Sequence, residues 1–192
     1  MLFRSVTGLK QSMTTKFAAL AAAAELRDVK TGGGLNIEGL EISPDQGRLL
    51  LGFRSPLQDG CAIVASVDNL AGMFDAGEAP RMSARLDRLD LDGHGIRGMS
   101  YMASLAGYLV IGAPAGRGQA QFGLWFWSGQ PGARARRVTV AGLPGFQHAE
   151  GVSPAIIEGA ERIIIVSDDG DRAKRRAAHF LVLDPDQLEI EV

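Results

Sequence analysis

From residue 34 onward, short apolar or alternating runs recur between clusters of Gly, Pro and Asp, the pattern of strands separated by turns. The apolar runs are Leu49-Leu50-Leu51-Gly52-Phe53, residues 61–67, Tyr108-Leu109-Val110-Ile111, residues 122–127, Ile163-Ile164-Ile165-Val166 and Phe180-Leu181-Val182-Leu183. Strict alternation in Ala84-Arg85-Leu86-Asp87-Arg88-Leu89 and in Arg137-Val138-Thr139-Val140 predicts strands with one wet face. The N-terminal part reads differently. Residues 16–24 (KFAALAAAA) continue into Glu25-Leu26-Arg27-Asp28, and these good helix formers predict one helix over about residues 14–29. Thr31-Gly32-Gly33-Gly34 then interrupts the chain.

Three segments open alike: Asn36-Ile37-Glu38-Gly39-Leu40, Gly95-Ile96-Arg97-Gly98-Met99 and His148-Ala149-Glu150-Gly151-Val152. Each sets a charged residue before Gly and an apolar residue, and the charged positions lie 59 and 53 residues apart. Four-stranded propeller blades repeat at roughly 40–50 residues. A second landmark recurs in register, in Gly52-Phe53-Arg54-Ser55-Pro56, Gly112-Ala113-Pro114 and Ser167-Asp168-Asp169-Gly170, at offsets of 16, 16 and 18 residues. The expected architecture is therefore all-β: a partial β-propeller of about three four-stranded blades (residues 34–93, 94–146 and 147–192) preceded by one N-terminal helical segment (residues 1–33). The last blade would take its third strand from residues 179–183 and its fourth from residues 188–192. Rings normally hold four to eight blades, so self-association that covers open blade edges is expected as well.

The stretches Gly34-Leu35-Asn36-Ile37-Glu38-Gly39-Leu40 and Leu50-Leu51-Gly52-Phe53-Arg54-Ser55-Pro56-Leu57 resemble a bacterial family known as domain of unknown function 3616. Leu91-Asp92-Gly93-His94-Gly95-Ile96-Arg97, Leu124-Trp125-Phe126-Trp127-Ser128-Gly129, Glu150-Gly151-Val152 and Ser167-Asp168-Asp169-Gly170 agree with it. The resemblance spans about residues 34–183. It implies a propeller-like fold, related in style to phytase-type and esterase-like propellers, with no assigned activity. It also implies longer members with more blades upstream, so the chain departs from it in length.

Composition narrows the function classes. With 192 residues, 46% hydrophobic and 22% charged, the chain is one soluble globular domain, and 25 Gly imply many tight turns. A formal charge of −2 offers no global field for nucleic acid or an anionic membrane. Two basic clusters, Arg134, Arg136 and Arg137, then Lys174, Arg175 and Arg176, lack interleaved aromatics and read as solvated loops. No apolar run reaches the roughly 20 residues of a membrane span, and the helix reading of residues 16–24 over a signal peptide makes the cytoplasm the expected compartment, with a periplasmic or secreted chain as the open alternative. The single cysteine, Cys61, excludes an intrachain disulfide and reads as a buried strand thiol.

In a propeller the first two strands of a blade are antiparallel, so the two landmarks share one mouth of the channel. That argument gathers Glu38, Arg54, Arg97, Glu150 and Asp168 at one end, with Asn36, His148 and Asp169 at its margin. Two chemistries fit them. Glu38, Glu150 and Asp168 are candidate Ca²⁺ ligands, because that ion takes about six to eight oxygens; alternatively the carboxylates pair with Arg54 and Arg97 in a network ordering the blade tops. The arginines suit a small anionic ligand or a protein partner, and with a metal beside them a phytase-like hydrolysis of phosphoesters or esters. Binding module and hydrolase both stay open. A serine hydrolase is not expected, since the chain has no Gly-x-Ser-x-Gly elbow. His94 and His148 read as loop histidines, His179 receives no role, and Trp125 and Trp127 share one strand face and read as packing between blades. The glycine-rich run 112–118 reads as a turn between strands, not a phosphate loop.

Overall fold

The computed structural model describes residues 5–29, 33–114, 122–143 and 145–192. The expected turn at the tip of the glycine-rich run, residues 115–118, lies outside the described residues, as do Thr31 and Gly32. The chain is mostly β, with antiparallel sheets of four, five and three strands.

The N-terminal segment corrects the single predicted helix. It forms two, α1 (Leu9–Lys16) and α2 (Ala18–Ala24), broken at Phe17, whose backbone is extended at φ −123° and ψ 111°. Thr14 and Thr15 are β-branched and Phe17 is aromatic, all residues that lose side-chain freedom in a helix, so the helix yields there. The far end stops at Ala24 because the Leu35 amide donates to the Ala23 carbonyl and leads the chain into the first strand.

The first sheet holds β1 (Asn36–Ile42), β2 (Leu49–Gln58), β3 (Cys61–Val67) and β4 (Asp87–Leu89) in that order. The connection between β3 and β4 contains a short helix, α3 (Leu70–Ala76), which the strand pattern does not announce. Its signals are local: Asn69 ahead of it, whose side chain binds the Ala79 carbonyl and the Arg81 amide, and Gly77 after it in the left-handed conformation at φ 69°. The second sheet begins β5 (His94–Met102), β6 (Gly107–Pro114), β7 (Gly123–Trp127), β8 (Arg136–Val140). The third is β9 (Ala149–Ile157), β10 (Ala160–Ser167) and β11 (Phe180–Leu183).

The last strand, β12 (Leu188–Ile190), does not complete the third sheet as expected. It pairs with β8, Leu188 opposite Val140 and Ile190 opposite Val138, and becomes the fifth strand of the second sheet. The cause is the turn before it. Pro185–Gln187 forms a 3-10 turn closed by a capping box between Asp184 and Gln187, which redirects the chain so that Leu188 and Ile190 pack on the core behind β8.

Three apolar layers hold these elements. Met13 and Leu20 from the helices cover Leu51, Phe53 and Ile63 on one face of the first sheet. Leu50, Val64 and Leu89 on its other face meet Ile96, Val110, Trp125 and Trp127 of the second sheet, which places both tryptophans in packing between sheets. Each buried indole removes roughly 200 Å² from water, about 5 kcal/mol of transfer free energy. The intervening residues Leu124 and Phe126, with Leu109 and Ile111, face Val152, Ile163 and Ile165 of the third sheet. The far face of the third sheet is uncovered: Phe180, Val182 and Val166 are 67%, 44% and 45% exposed. β1, β5 and β9, the first strands of the three sheets, lie side by side.

Candidate functional site

The repeated charged-Gly pair has a structural meaning. Ile37 pairs with Phe53 and Gly39 with the next residue, Gly52, so Glu38 is the extra, unpaired residue of a β-bulge in β1. Arg97 is skipped in the same way between Ile96 and Gly98 on β5, and Glu150 between Ala149 and Gly151 on β9. Arg54 on β2 is a fourth such residue, passed over between Phe53 and Ser55 in the pairing with β1. A bulge kinks the strand and re-aims the extra side chain out of the ladder. All four charges are thereby turned toward one junction.

The glycines beside them let the first strands close up. A Cβ on Gly39 would sit 2.9 Å from Ile96 Cγ2, and one on Gly98 would sit 3.1 Å from the Glu150 carbonyl oxygen. Only a hydrogen fits comfortably at such distances, so β1, β5 and β9 approach where the charges must reach across.

The side chains form a continuous chain across three sheets. Arg54 Nη1 donates to Glu38 Oε1 at 3.2 Å, and Arg97 Nη1 donates to Glu38 Oε2 at 2.7 Å. Arg97 Nη2 donates to Glu150 Oε1. Asn36 Nδ2 donates to Glu38 Oε1 at 2.8 Å, and Arg54 Nε to the Pro114 carbonyl at 3.2 Å. Arg97 Nε is buried and has no partner among the described residues. Burial works to lower the Arg97 pKa, yet the hydrogen bond and charge of Glu150, with those of Glu38, outweigh it and hold it above the ordinary arginine value. One further link, unmarked in sequence, joins the same strands: Glu41 Oε2 on β1 accepts from Ser100 Oγ at 2.7 Å and from the Tyr101 amide at 3.0 Å on β5.

Of the residues expected together, Glu38, Arg54, Arg97, Glu150 and Asn36 meet. Asp168 does not join them; it is exposed, and its amide donates to the His148 carbonyl. His148 is exposed at a positive φ of 58°, 5.9 Å from the Phe122 ring. Asp169 is engaged elsewhere, accepting from Ser167 Oγ at 2.7 Å and facing His179 Nδ1 at 2.6 Å. The Ser167 hydroxyl and then His179 hold its carboxyl well below the usual carboxylate range. This contact gives His179 a structural tie that the sequence reading did not foresee. Arg97 lies between the Glu38 and Glu150 carboxylates, and no group of three or more His, Cys, Asp or Glu side chains among the described residues is arranged to hold a metal ion.

A second concavity of about 1560 Å³ opens between the outer parts of the first and second sheets, lined by Asp87, Arg85, Arg134 and Cys61 among others. Cys61 stands half-buried there, not sealed inside its strand. Arg136 and Arg137 are more than loop charges: they stack over Phe126 at 4.9 Å and Trp125 at 5.2 Å, and Arg137 pairs with Asp92 at 2.7 Å. Among the described residues no helix is long and apolar enough to cross a membrane.

The chain matches the family described as Protein of unknown function (DUF3616) over residues 29–184. No curated protein matches it.

Proposed function

This chain belongs to the DUF3616 family, and from the geometry of its charged junction we infer that it is an arc of three propeller blades acting as a binding module, not a hydrolase. The observation that carries the reading is the set of four bulges, which turn Glu38, Arg54, Arg97 and Glu150 toward the line where the three first strands meet. Bulges cluster where a side chain is aimed at a task. The network holds its own charges in balance, two arginines against two glutamates, and so presents a pre-ordered surface instead of a strong field. Arg54 is the receiving group. Its Nη1 and Nε are engaged, its Nη2 has no partner among the described residues, and its side chain is 21% exposed. A planar guanidinium with a free edge suits the carboxylate or phosphate of a small ligand or of a polypeptide partner.

Thermal-shift titrations with inorganic phosphate, citrate and calcium chloride test this on the wild type, Arg54→Met and Glu38→Gln. The expected result is stabilisation of the wild type by an anion and its loss in Arg54→Met. Stabilisation by calcium alone, abolished in Glu38→Gln, would favour the hydrolase-type metal site. No ligand response in any protein, with Glu38→Gln merely less stable, would reduce the junction to a clasp.

A further inference from the structure

We propose that the uncovered face of the third sheet is the contact surface of a two-fold dimer of this chain. The strands themselves ask for a cover. β10 and β11 are apolar on both faces, as strands buried on both sides are. Ile163, Ile165 and Leu183 pack on the second sheet; Val166 opposite Phe180 and Ile164 opposite Val182 form the other face. Phe180, the first residue of the edge strand β11, is 67% exposed and is the most exposed phenylalanine of the core strands, beside Val166 and Val182 on the same face.

The occupant follows from what stands at the two ends of the stack. The outer face of the first sheet is already covered by α1 and α2 through Met13 and Leu20. A head-to-tail array would need that face free, so the surface left for self-contact is the third sheet against its own copy. Such a contact is isologous and closes at two chains.

Charge selects the orientation. At the turn end of the sheet Glu158 and Asp186 carry no ion pair among the described residues, while Asp184 is held by Arg162 at 2.6 Å. At the opposite end, the loop between β10 and β11 carries Arg172 and Arg175, exposed and likewise without an ion pair among the described residues, against one exposed acid in the same state, Asp168. A two-fold axis in the interface, running across the strands, lays the acidic end of one copy over the basic loop of the other, and does so twice. An axis along the strands would set like charges together. The size of the face sets the strength. Three strands about 4.8 Å apart and roughly 20 Å long fall short of the ~800 Å² per partner of a standard interface, so a reversible dimer with a dissociation constant of about 1–100 μM is expected. This inference is independent of ligand binding at the charged junction.

Sedimentation equilibrium from about 1 to 200 μM on the full chain tests it, with Phe180→Asp, Val182→Asn, the reversal Arg172→Glu/Arg175→Glu, and that reversal combined with Glu158→Arg/Asp186→Lys. The wild type should follow a monomer–dimer isotherm. Each apolar variant should weaken it at least tenfold with unchanged far-ultraviolet circular dichroism, the single-end reversal should weaken it, and the double reversal should restore it. A wild type that stays monomeric throughout, or grows beyond a dimer, overturns the proposal. So does a dimer untouched by Phe180→Asp and Val182→Asn, which would point to pairing along the open edge of β11.

Discussion

Arg97 carries more of the junction than any other side chain, because one guanidinium answers two carboxylates on two different strands. Replacing it with Met leaves Glu150 without an ion-pair partner among the described residues and Glu38 held by Arg54 alone, with nothing bridging the two carboxylates. A fully buried pair broken this way costs about 3–5 kcal/mol; with the Arg97 side chain 17% exposed and its partners 22% and 29% exposed, the expected loss is on the order of 1–3 kcal/mol, measured by urea unfolding. Arg97→Lys should lose nearly as much, since a point charge cannot fork to both carboxylates. Glu38, Arg97 and Glu150 were legible in the sequence because a charged residue before Gly recurs in register, and Arg54 because it stands in the second recurring landmark. Asp168 was not separable from them: adjacent aspartates at the end of a strand give no sign of which one turns back, and it is Asp169 that the Ser167 hydroxyl and His179 capture.

At the scale of elements, the close approach of β5 to β2 rests on Gly95. A Cβ there would lie 1.9 Å from the Arg54 carbonyl oxygen, a backbone atom that cannot swing aside. Gly95→Ala should therefore push the two strands apart and cost about 1–3 kcal/mol or more, lowering the melting temperature by about 2–4 °C per kcal/mol. It should also disturb Arg54, so the variant ought to lose any anion response along with stability; a variant as stable as wild type would show that β5 does not depend on this contact. The strands were readable from their apolar runs; residues 61–67, predicted from the run alone, are β3 to the residue. What the runs could not give was partnership. Leu188 and Ile190 have the same alternation whether they pair with β11 or with β8, and the choice is made by the 3-10 turn at Pro185–Gln187. α3 escaped for the opposite reason, being one short helix of seven residues held by Asn69 and Gly77 with no repeated period.

On the scale of the whole molecule, the concavity between the first two sheets leaves a mark on stability against pH. Burial raises the pKa of Asp87 above its ordinary value, against the charges of Arg48 and Arg85. An acid raised on folding is one that the folded chain prefers protonated, so its ionisation opposes folding. The cost is absent well below the ordinary carboxylate pKa and appears as pH rises through the folded value. Asp87→Asn is thus expected to raise the melting temperature at pH 7 and to leave it nearly unchanged at pH 3; equal shifts at both would assign the effect to packing. The layered order of helices and sheets follows from which strand faces are apolar, and the repeat spacing made the sheet count readable, while the unequal membership of five and three strands could not be read from spacing alone.

The pairing of β12 with β8 also has a bearing on the order in which the molecule is made. Residues 149–183 are a local meander, each strand next to the one before, enclosed in sequence between two neighbours of another sheet. During synthesis from the N-terminus, β9, β10 and β11 emerge and can zip together while the edge of β8 still waits for its partner. Ile190 arrives after all three, and its seating opposite Val138 shuts a loop of roughly fifty residues in one step, whose closure entropy is nearly that of a loop half as long. The third sheet is in this sense fastened from behind, by a latch that comes off the ribosome after the part it secures.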